Sequence, residues 1–332
     1  MKNSITKKSA RIAAAALAAT VTFGAMAFAL SYKPAADSYT IASEDGGYYS
    51  ETTYYLTEEA FGEYESGKQA GKPAAKTMSA SAKNTSESEQ ESGEFVMGVA
   101  KSVWVMEELD EDDNVVDSQL LTKDEMDDYG ISTMGVKRPW FDQVIIGGGG
   151  DGSTKIGSDK LTNYKLTIEL TVRYYSSSDT YNVIGSADWI LPDNNVITSP
   201  ECTALDFLGI TWGGNGALKA KESGISGLYS NSQSVNFVRK NSDSYGGYVW
   251  QFFEQTANGY AMNYALANVI LEKTDNGEGG ETNAKLTYIH TYEGVSVGTS
   301  IQGGSSGFAG SVTINTVDRT WQIEIDVPEI NY

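Results

Sequence analysis

Few residues of this 332-residue chain combine a type and a spacing that could do chemistry. Near the C-terminus, Glu324-Ile325-Asp326-Val327-Pro328-Glu329 sets three carboxylates in the order E-x-D-x-x-E. On a strand bent by a local bulge, such a set can face one cleft and act as nucleophile, helper and acid/base in glycoside hydrolysis. Plain alternation gives a simpler account, with Trp321, Ile323, Ile325 and Val327 as a buried face and Gln322, Glu324 and Asp326 turned to water. His290 is the single histidine. Any Ser-His-Asp or Cys-His hydrolase would have to use it, and a zinc site of several histidines is excluded. Alternation groups it with Leu286, Tyr288 and Tyr292, as a packed or rim histidine among tyrosines. No nucleophile elbow is present. The expectation is no catalytic residue, with Glu324, Asp326 and Glu329 as the candidates should there be one, and no metal and no cofactor.

Three further stretches invite chemical readings. Asp110-Glu111-Asp112-Asp113-Asn114 suggests calcium, but an EF-hand counted from Asp110 has Val115 where glycine belongs and Leu121 where the bidentate glutamate belongs. A solvated acidic turn fits better. Gly147-Gly148-Gly149-Gly150-Asp151-Gly152-Ser153 lacks the Lys-Ser/Thr and the following helix of a phosphate loop, and reads as a connector. Cys202 reads as a small apolar residue rather than a reactive thiol. The aromatic residues carry the more useful signal. With 6 Trp and 20 Tyr, flat rings beside Asn, Gln and Asp could stack on sugars. Trp212, at the lip of Gly213-Gly214-Asn215-Gly216, and Tyr248 and Trp250, on one face of their strand, are the ligand-binding candidates; sandwich cores use such rings too.

The elements that must position these residues are strands. Tyr164, Leu166, Ile168, Leu170, Val172 and Tyr174 alternate with polar residues, and after Ser176-Ser177-Ser178-Asp179 the alternation resumes through Tyr181, Val183, Gly185, Ala187 and Trp189 as far as Pro192. This is a long hairpin, expected at the middle of a sheet. Residues 204–212 form a continuous apolar run suited to a strand buried on both faces. Segments at 234–238, 248–254, 263–273, 282–292, 295–301, 311–316 and 320–327 complete the count. Even spacing and Gly-rich turns predict an all-β protein, an antiparallel β-sandwich of about eight or nine strands. Gly294 to Thr316 also has the alternation of a hairpin able to enter a bilayer, or equally of an edge hairpin.

Composition fixes the setting. Lys2, Lys7, Lys8 and Arg11 precede an uncharged Ala-rich run to Leu30 with Ala25-Met26-Ala27 and Ala27-Phe28-Ala29 as cleavage candidates, the pattern of a signal peptide. No lipidation cysteine or C-terminal apolar tail follows, so no stable membrane insertion is expected after cleavage. The formal charge of −20 falls to about −24 once those four basic residues leave, which disfavours nucleic acid as a partner. One cysteine allows no intrachain disulfide, so an exported chain of this size relies on its core.

The segments Thr180-Tyr181-Asn182-Val183-Ile184-Gly185-Ser186-Ala187-Asp188-Trp189, Asp206-Phe207-Leu208-Gly209-Ile210-Thr211-Trp212 and Thr287-Tyr288-Ile289-His290-Thr291-Tyr292 resemble segments of uncharacterised secreted proteins of Gram-positive bacteria, over roughly the final half of the chain. That resemblance implies an extracellular setting and a single β domain, and carries over no site residue. The six-residue carboxylate stretch resembles the catalytic strand of retaining laminarinase-like glycosidases, departing from it at Pro328 and in the lack of further strands. The domain plan expected is a signal peptide at 1–30, a disordered acidic, Ser-rich linker at 31–94, an accessory hairpin with a short helix at 95–135, a Gly-rich connector at 136–155 and the sandwich at 156–332. Within it, Leu56 to Tyr64 echoes Leu121 to Tyr129; both predict short helices N-capped by threonine, Thr122 with Glu125 as a capping box. The functional expectation is a secreted, non-catalytic interaction protein meeting an extracellular glycan or protein surface. The alternatives are a glycosidase using Glu324, Asp326 and Glu329, or a membrane-active hairpin.

Overall fold

The structure is a computed structural model that describes residues 37–44, 47–70, 93–109, 115–129, 131, 154–156, 159–190, 205–254, 260, 262–275, 280–292, 298–302, 309–315 and 320–332. Ser38–Tyr332 form one compact unit. The segments read as a signal peptide at 1–30 and an acidic turn at 110–114, the glycine run at 147–153 and Cys202 lie outside the described residues.

The long hairpin is present as β6 (Asp159–Tyr175) and β7 (Thr180–Ile190), paired from Lys165 opposite Ile190 to Tyr175 opposite Thr180. Their alternating apolar residues form one face: Leu166, Ile168, Leu170, Val172 and Val183 are fully buried. The turn closes with Asp179 in the left-handed region at φ 49°, where a short polar side chain is tolerated. On one side of this hairpin lie β12 (Met262–Lys273) and then β9 (Leu218–Tyr229) at the edge. On the other side lie β3 (Glu94–Leu109), β2 (Ser50–Tyr55) and β1 (Ser38–Ser43). Two short strands, β4 (Val115–Leu120) on β3 and β5 (Thr154–Ile156) on β6, complete a nine-stranded sheet.

The second sheet runs β10 (Val238–Asp243), β11 (Gly247–Phe252), β8 (Asp206–Trp212), β13 (Glu281–Thr291), β16 (Thr320–Asn331), all antiparallel. β8, the continuous apolar run, is buried at every position and is the central strand. The sheets face each other: Trp189 of β7 meets Tyr288 of β13 edge-on at 5.3 Å and Phe252 of β11 at 6.4 Å. The far side of the small sheet is capped by β14 (Gly298–Gln302) and β15 (Ser311–Asn315), whose Val312 packs with Phe207, Val249 and Ile289. The stretch read as a possible bilayer hairpin therefore buries Val312 against protein.

The antiparallel sandwich is as expected, with sixteen strands among the described residues. The added strands come from segments assigned to linker and accessory hairpin, and the divisions at 31–94 and 95–135 need correcting. β1 and β2 fall within 31–94, and β3 pairs with β6 from Glu94 opposite Tyr174 to Leu109 opposite Lys160. Thr and Tyr gave these polar segments the β-propensity that their Ser and Glu content masked. Both echoed segments are helical. α1 (Glu58–Ala70) packs Phe61 on Tyr55 and Phe95 at 5.4 and 5.8 Å. α2 (Lys123–Asp128) starts at a complete Thr122/Glu125 capping box and drops Met126 into a cluster with Trp104, Met106, Leu121 and Ile131.

Close approach of the sheets requires Gly185. A Cβ there would stand 2.5 Å from Leu286 Cδ1 and 3.2 Å from Ile210 Cδ1. Gly185→Val is expected to lower stability by about 1–3 kcal/mol through overpacking. Gly62→Ala on α1, where a Cβ meets nothing within 4 Å, should instead stabilise by about 0.5 to 1 kcal/mol. Urea midpoints of the two variants, moving in opposite directions, check the assignment.

Candidate functional site

Charged side chains collect at one end of the sandwich, where several strands begin or finish. β3 brings Glu107 near its last residue, β8 brings Asp206 as its first, and Glu254 follows two residues after β11. Tyr288 and His290 come from the end of β13, Trp189 from the end of β7, and Trp321 from the start of β16. Residues from both sheets thus meet inside: Glu107, Asp206 and His290 are 2%, 1% and 2% exposed.

Ordered hydrogen bonds bind the cluster. Tyr164 donates to Glu107 Oε1 at 3.0 Å, and Trp189 Nε1 donates to Glu254 Oε1 at 2.6 Å. The Thr291 amide donates to Asp206 Oδ1 at 3.0 Å. Tyr288 Oη lies 2.8 Å from Glu254 Oε1 and also in contact with Asp206 Oδ2. One phenolic proton cannot serve both carboxyl groups. It serves one of them at a time, and the second contact is satisfied only when a carboxyl carries the proton. His290 Nδ1 sits 3.3 Å from Asp206 and 3.3 Å from Glu254 Oε2. The imidazole stacks on Trp321 with centroids 4.8 Å apart.

Burial and mutual charge separate the titrations. Desolvation pushes the Glu107 carboxyl up to about 7, with His290 opposing and Glu254 adding. Desolvation also raises Asp206 to about 7, reinforced by Glu254. Burial would raise Glu254 too, but the imidazolium and the hydrogen bonds from its neighbours overcome this and hold it at about 2. Burial would lower His290, and the Asp206 and Glu254 charges outweigh it, so the ring titrates well above its ordinary value. Two atoms remain outside this network: His290 Nε2 and Glu107 Oε2 are buried with no hydrogen-bond partner, and Nε2 lies 3.7 Å from Glu107 Oε1. Glu107, Glu254 and His290 could hold a metal ion, each offering a ligand atom within 4.8 Å of the others.

The residues singled out in the sequence lie elsewhere. Glu324 and Asp326 lie together on β16, side chains 28% and 35% exposed, and share Lys285 at 3.1 and 3.9 Å. Thr287 and Asn283 donate to them at 3.2 and 3.3 Å. Glu329 is in β16 too, with its side chain outside the described set. Trp212, Tyr248 and Trp250 do cluster, Trp212 and Trp250 each 5.9 Å from Tyr248. They share the inward face of the small sheet with Tyr288 and Leu286. Trp212 and Trp250 are 1% and 2% exposed, so neither offers the open ring face that sugar stacking needs. His290 is packed against an aromatic ring, as alternation suggested. Its acidic neighbours escaped notice, although Glu107 follows Val103 and Val105 on their buried face and Asp206 heads an otherwise apolar strand.

No protein-family model and no curated protein matches the chain. Among solved structures it is similar to one described as a pore forming protein, at 9% identity and TM-score 0.26, covering 51% of this chain and 90% of the other. It is similar to a structure on pH-induced modulation of Streptococcus parasanguinis adhesion by Fap1 fimbriae, at 14% identity and TM-score 0.23, covering 49% and 79%. It is also similar to the T6 backbone pilin of serotype M6 Streptococcus pyogenes, at 7% identity and TM-score 0.28, covering 68% and 61%. The latter two are loose, partial likenesses to streptococcal surface proteins. At such scores they transfer neither site nor activity. Among the described residues no helix is long and apolar enough to cross a membrane.

Stability should depend on pH in a defined sense. Glu107 and Asp206 titrate near 4 in an unfolded chain and at about 7 when folded. The folded protein keeps protons that the unfolded chain has released, so their contribution is complete at low pH and is lost as pH climbs through 7. His290 acts in the same sense from its unfolded value upward, and Glu254 in the opposite sense as pH falls toward 2. The urea midpoint is expected to peak at about pH 4 to 5 and to fall toward pH 8, with a loss of about 4 kcal/mol for each raised carboxyl. A flat profile over that range would contradict the assignment.

Proposed function

We propose that this chain is an exported, non-catalytic interaction protein that works outside the cell by contact with glycan or protein surfaces. The observation that carries this reading is the enclosure of its acid–base chemistry. The one histidine, 2% exposed, faces carboxylates alone in its recorded polar contacts, and a group so placed has no approach for a substrate. The half-buried carboxylates that could have served a glycosidase, Glu324 and Asp326, are bridged by one lysine.

Exposed apolar groups point to where contact would occur. Val238 at 47%, Tyr245 at 48% and Phe253 at 43% stand on or beside the β10–β11 hairpin, with Arg239 stacked 4.8 Å over the Tyr248 ring. This hairpin edges the small sheet and presents the only basic pair of its strand, Arg239-Lys240, on an acidic protein. Co-sedimentation of the exported chain with insoluble polysaccharides, cell walls and immobilised extracellular proteins, against an acidic control of equal charge, is the test. Retention should drop about tenfold in Tyr245→Ala combined with Phe253→Ala, equivalent to about 1.4 kcal/mol, with the fold unchanged by circular dichroism. Retention on none of these surfaces would remove the proposal.

A further inference from the structure

We propose that Glu107, Glu254 and His290 bind one divalent transition-metal ion, of the zinc or manganese class, inside the sandwich. The inference stands apart from the interaction role and would survive its failure. One ligand atom from each residue lies within 4.8 Å of the other two. Two atoms bound at about 2.1 Å to one ion stand roughly 3 to 3.5 Å apart. The 3.7 Å between His290 Nε2 and Glu107 Oε1 is thus close to the spacing of a shared ion and too long for a hydrogen bond.

Acidity alone would not make this a site. His290 Nε2 and Glu107 Oε2 are buried with no partner, an arrangement that costs free energy unless something occupies the space they face. The surrounding groups also orient the three residues as outer-shell partners orient metal ligands. Asp206 and Glu254 Oε2 hold the Nδ1 side of His290, each at 3.3 Å, so Nδ1–H is kept there and an ion that displaces the Nε2 proton would meet a lone pair on the Glu107 side. Tyr164 fixes Glu107, and Trp189 with Tyr288 fixes Glu254. One nitrogen with two carboxylates suits zinc or manganese, whereas calcium and magnesium favour oxygen alone.

The test uses untagged full chain, stripped with chelator, desalted, and incubated with equimolar Zn2+, Mn2+, Ca2+ or Mg2+. Elemental analysis after a second desalting should find roughly one Zn2+ or Mn2+ per chain, bound in a pH-dependent manner, and little Ca2+ or Mg2+. Glu107→Gln, which keeps the shape and the Tyr164 contact, should lose that retention; Asp326→Asn, on the exposed strand, should keep it. Because the chain has one histidine, selective 15N-histidine labelling gives a readout that needs no variant. Zn2+ should move the Nε2 resonance strongly and Nδ1 little. Failure to retain zinc or manganese, equal retention by folded Glu107→Gln, or an unmoved Nε2 signal with zinc bound elsewhere would each overturn the proposal.

Discussion

Three carboxyl groups and an imidazole between two apolar sheets impose a cost that the surrounding structure has to meet. Removing a charge from water costs several kcal/mol even after relaxation, and Glu107, Asp206 and His290 are each 2% exposed or less. The offset is local. Two phenols, an indole and a backbone amide donate to the carboxyl groups, and the titrations divide so that Glu254 stays ionised beside the imidazolium while Glu107 and Asp206 hold protons. The donors come from β6, β7 and β13, and the Trp189 bond to Glu254 together with the His290–Glu107 approach forms only when both sheets are assembled. A half-formed sandwich would expose the cost without the offset, which favours a single cooperative transition.

The same constraint explains why the early strands cannot be a separate accessory. Glu107 is delivered by β3, and β3 keeps its register only through its long ladder with β6. The outer faces then need their own cover. Trp104 and Met106 point away from the cluster and are closed over by Leu121, Met126 and Ile131, with the Trp321 indole bonded to Ser118 of β4 at 3.0 Å. β8, apolar on both faces, is covered inward by the large sheet and outward by Val312. At Gly209 a Cβ would sit 2.7 Å from Val312 Cγ2, so the cap lies directly on the strand backbone.

Local patterns were legible in the sequence, and long-range ones were not. The β6–β7 hairpin could be read from alternation because the period of two is itself the consequence of one buried face. The Thr122/Glu125 box could be read because its two hydrogen bonds close within four residues. The site could not, because Glu107 and His290 are 183 residues apart in a chain whose pairing register sets their meeting, and no periodicity records register. Trp212, Tyr248 and Trp250 show the converse limit. Alternation put Tyr248 and Trp250 on one face of their strand, but a face shared by aromatic residues reads alike whether it turns to a ligand or to a second sheet.

An apolar end to the sandwich would have avoided these costs, so the retained polar cluster has to be explained by what apolar contact lacks. Gly185, Leu286 and Ile210 already join the sheets by packing, and packing tolerates sliding of one sheet over another far better than hydrogen bonds do. The directed bond from Trp189 on the large sheet to Glu254 beside the small sheet fixes the offset between the sheets at that end. With a single cysteine the chain has no disulfide to do so. Protons and a metal ion are two ways of supplying positive charge to the same oxygens, but they act on different atoms. A proton on Asp206 completes the bond to Tyr288, whereas only an occupant between Nε2 and Glu107 Oε2 satisfies the pair that hydrogen bonding leaves over. That geometric remainder separates a cluster built solely to hold protons from one built to hold an ion.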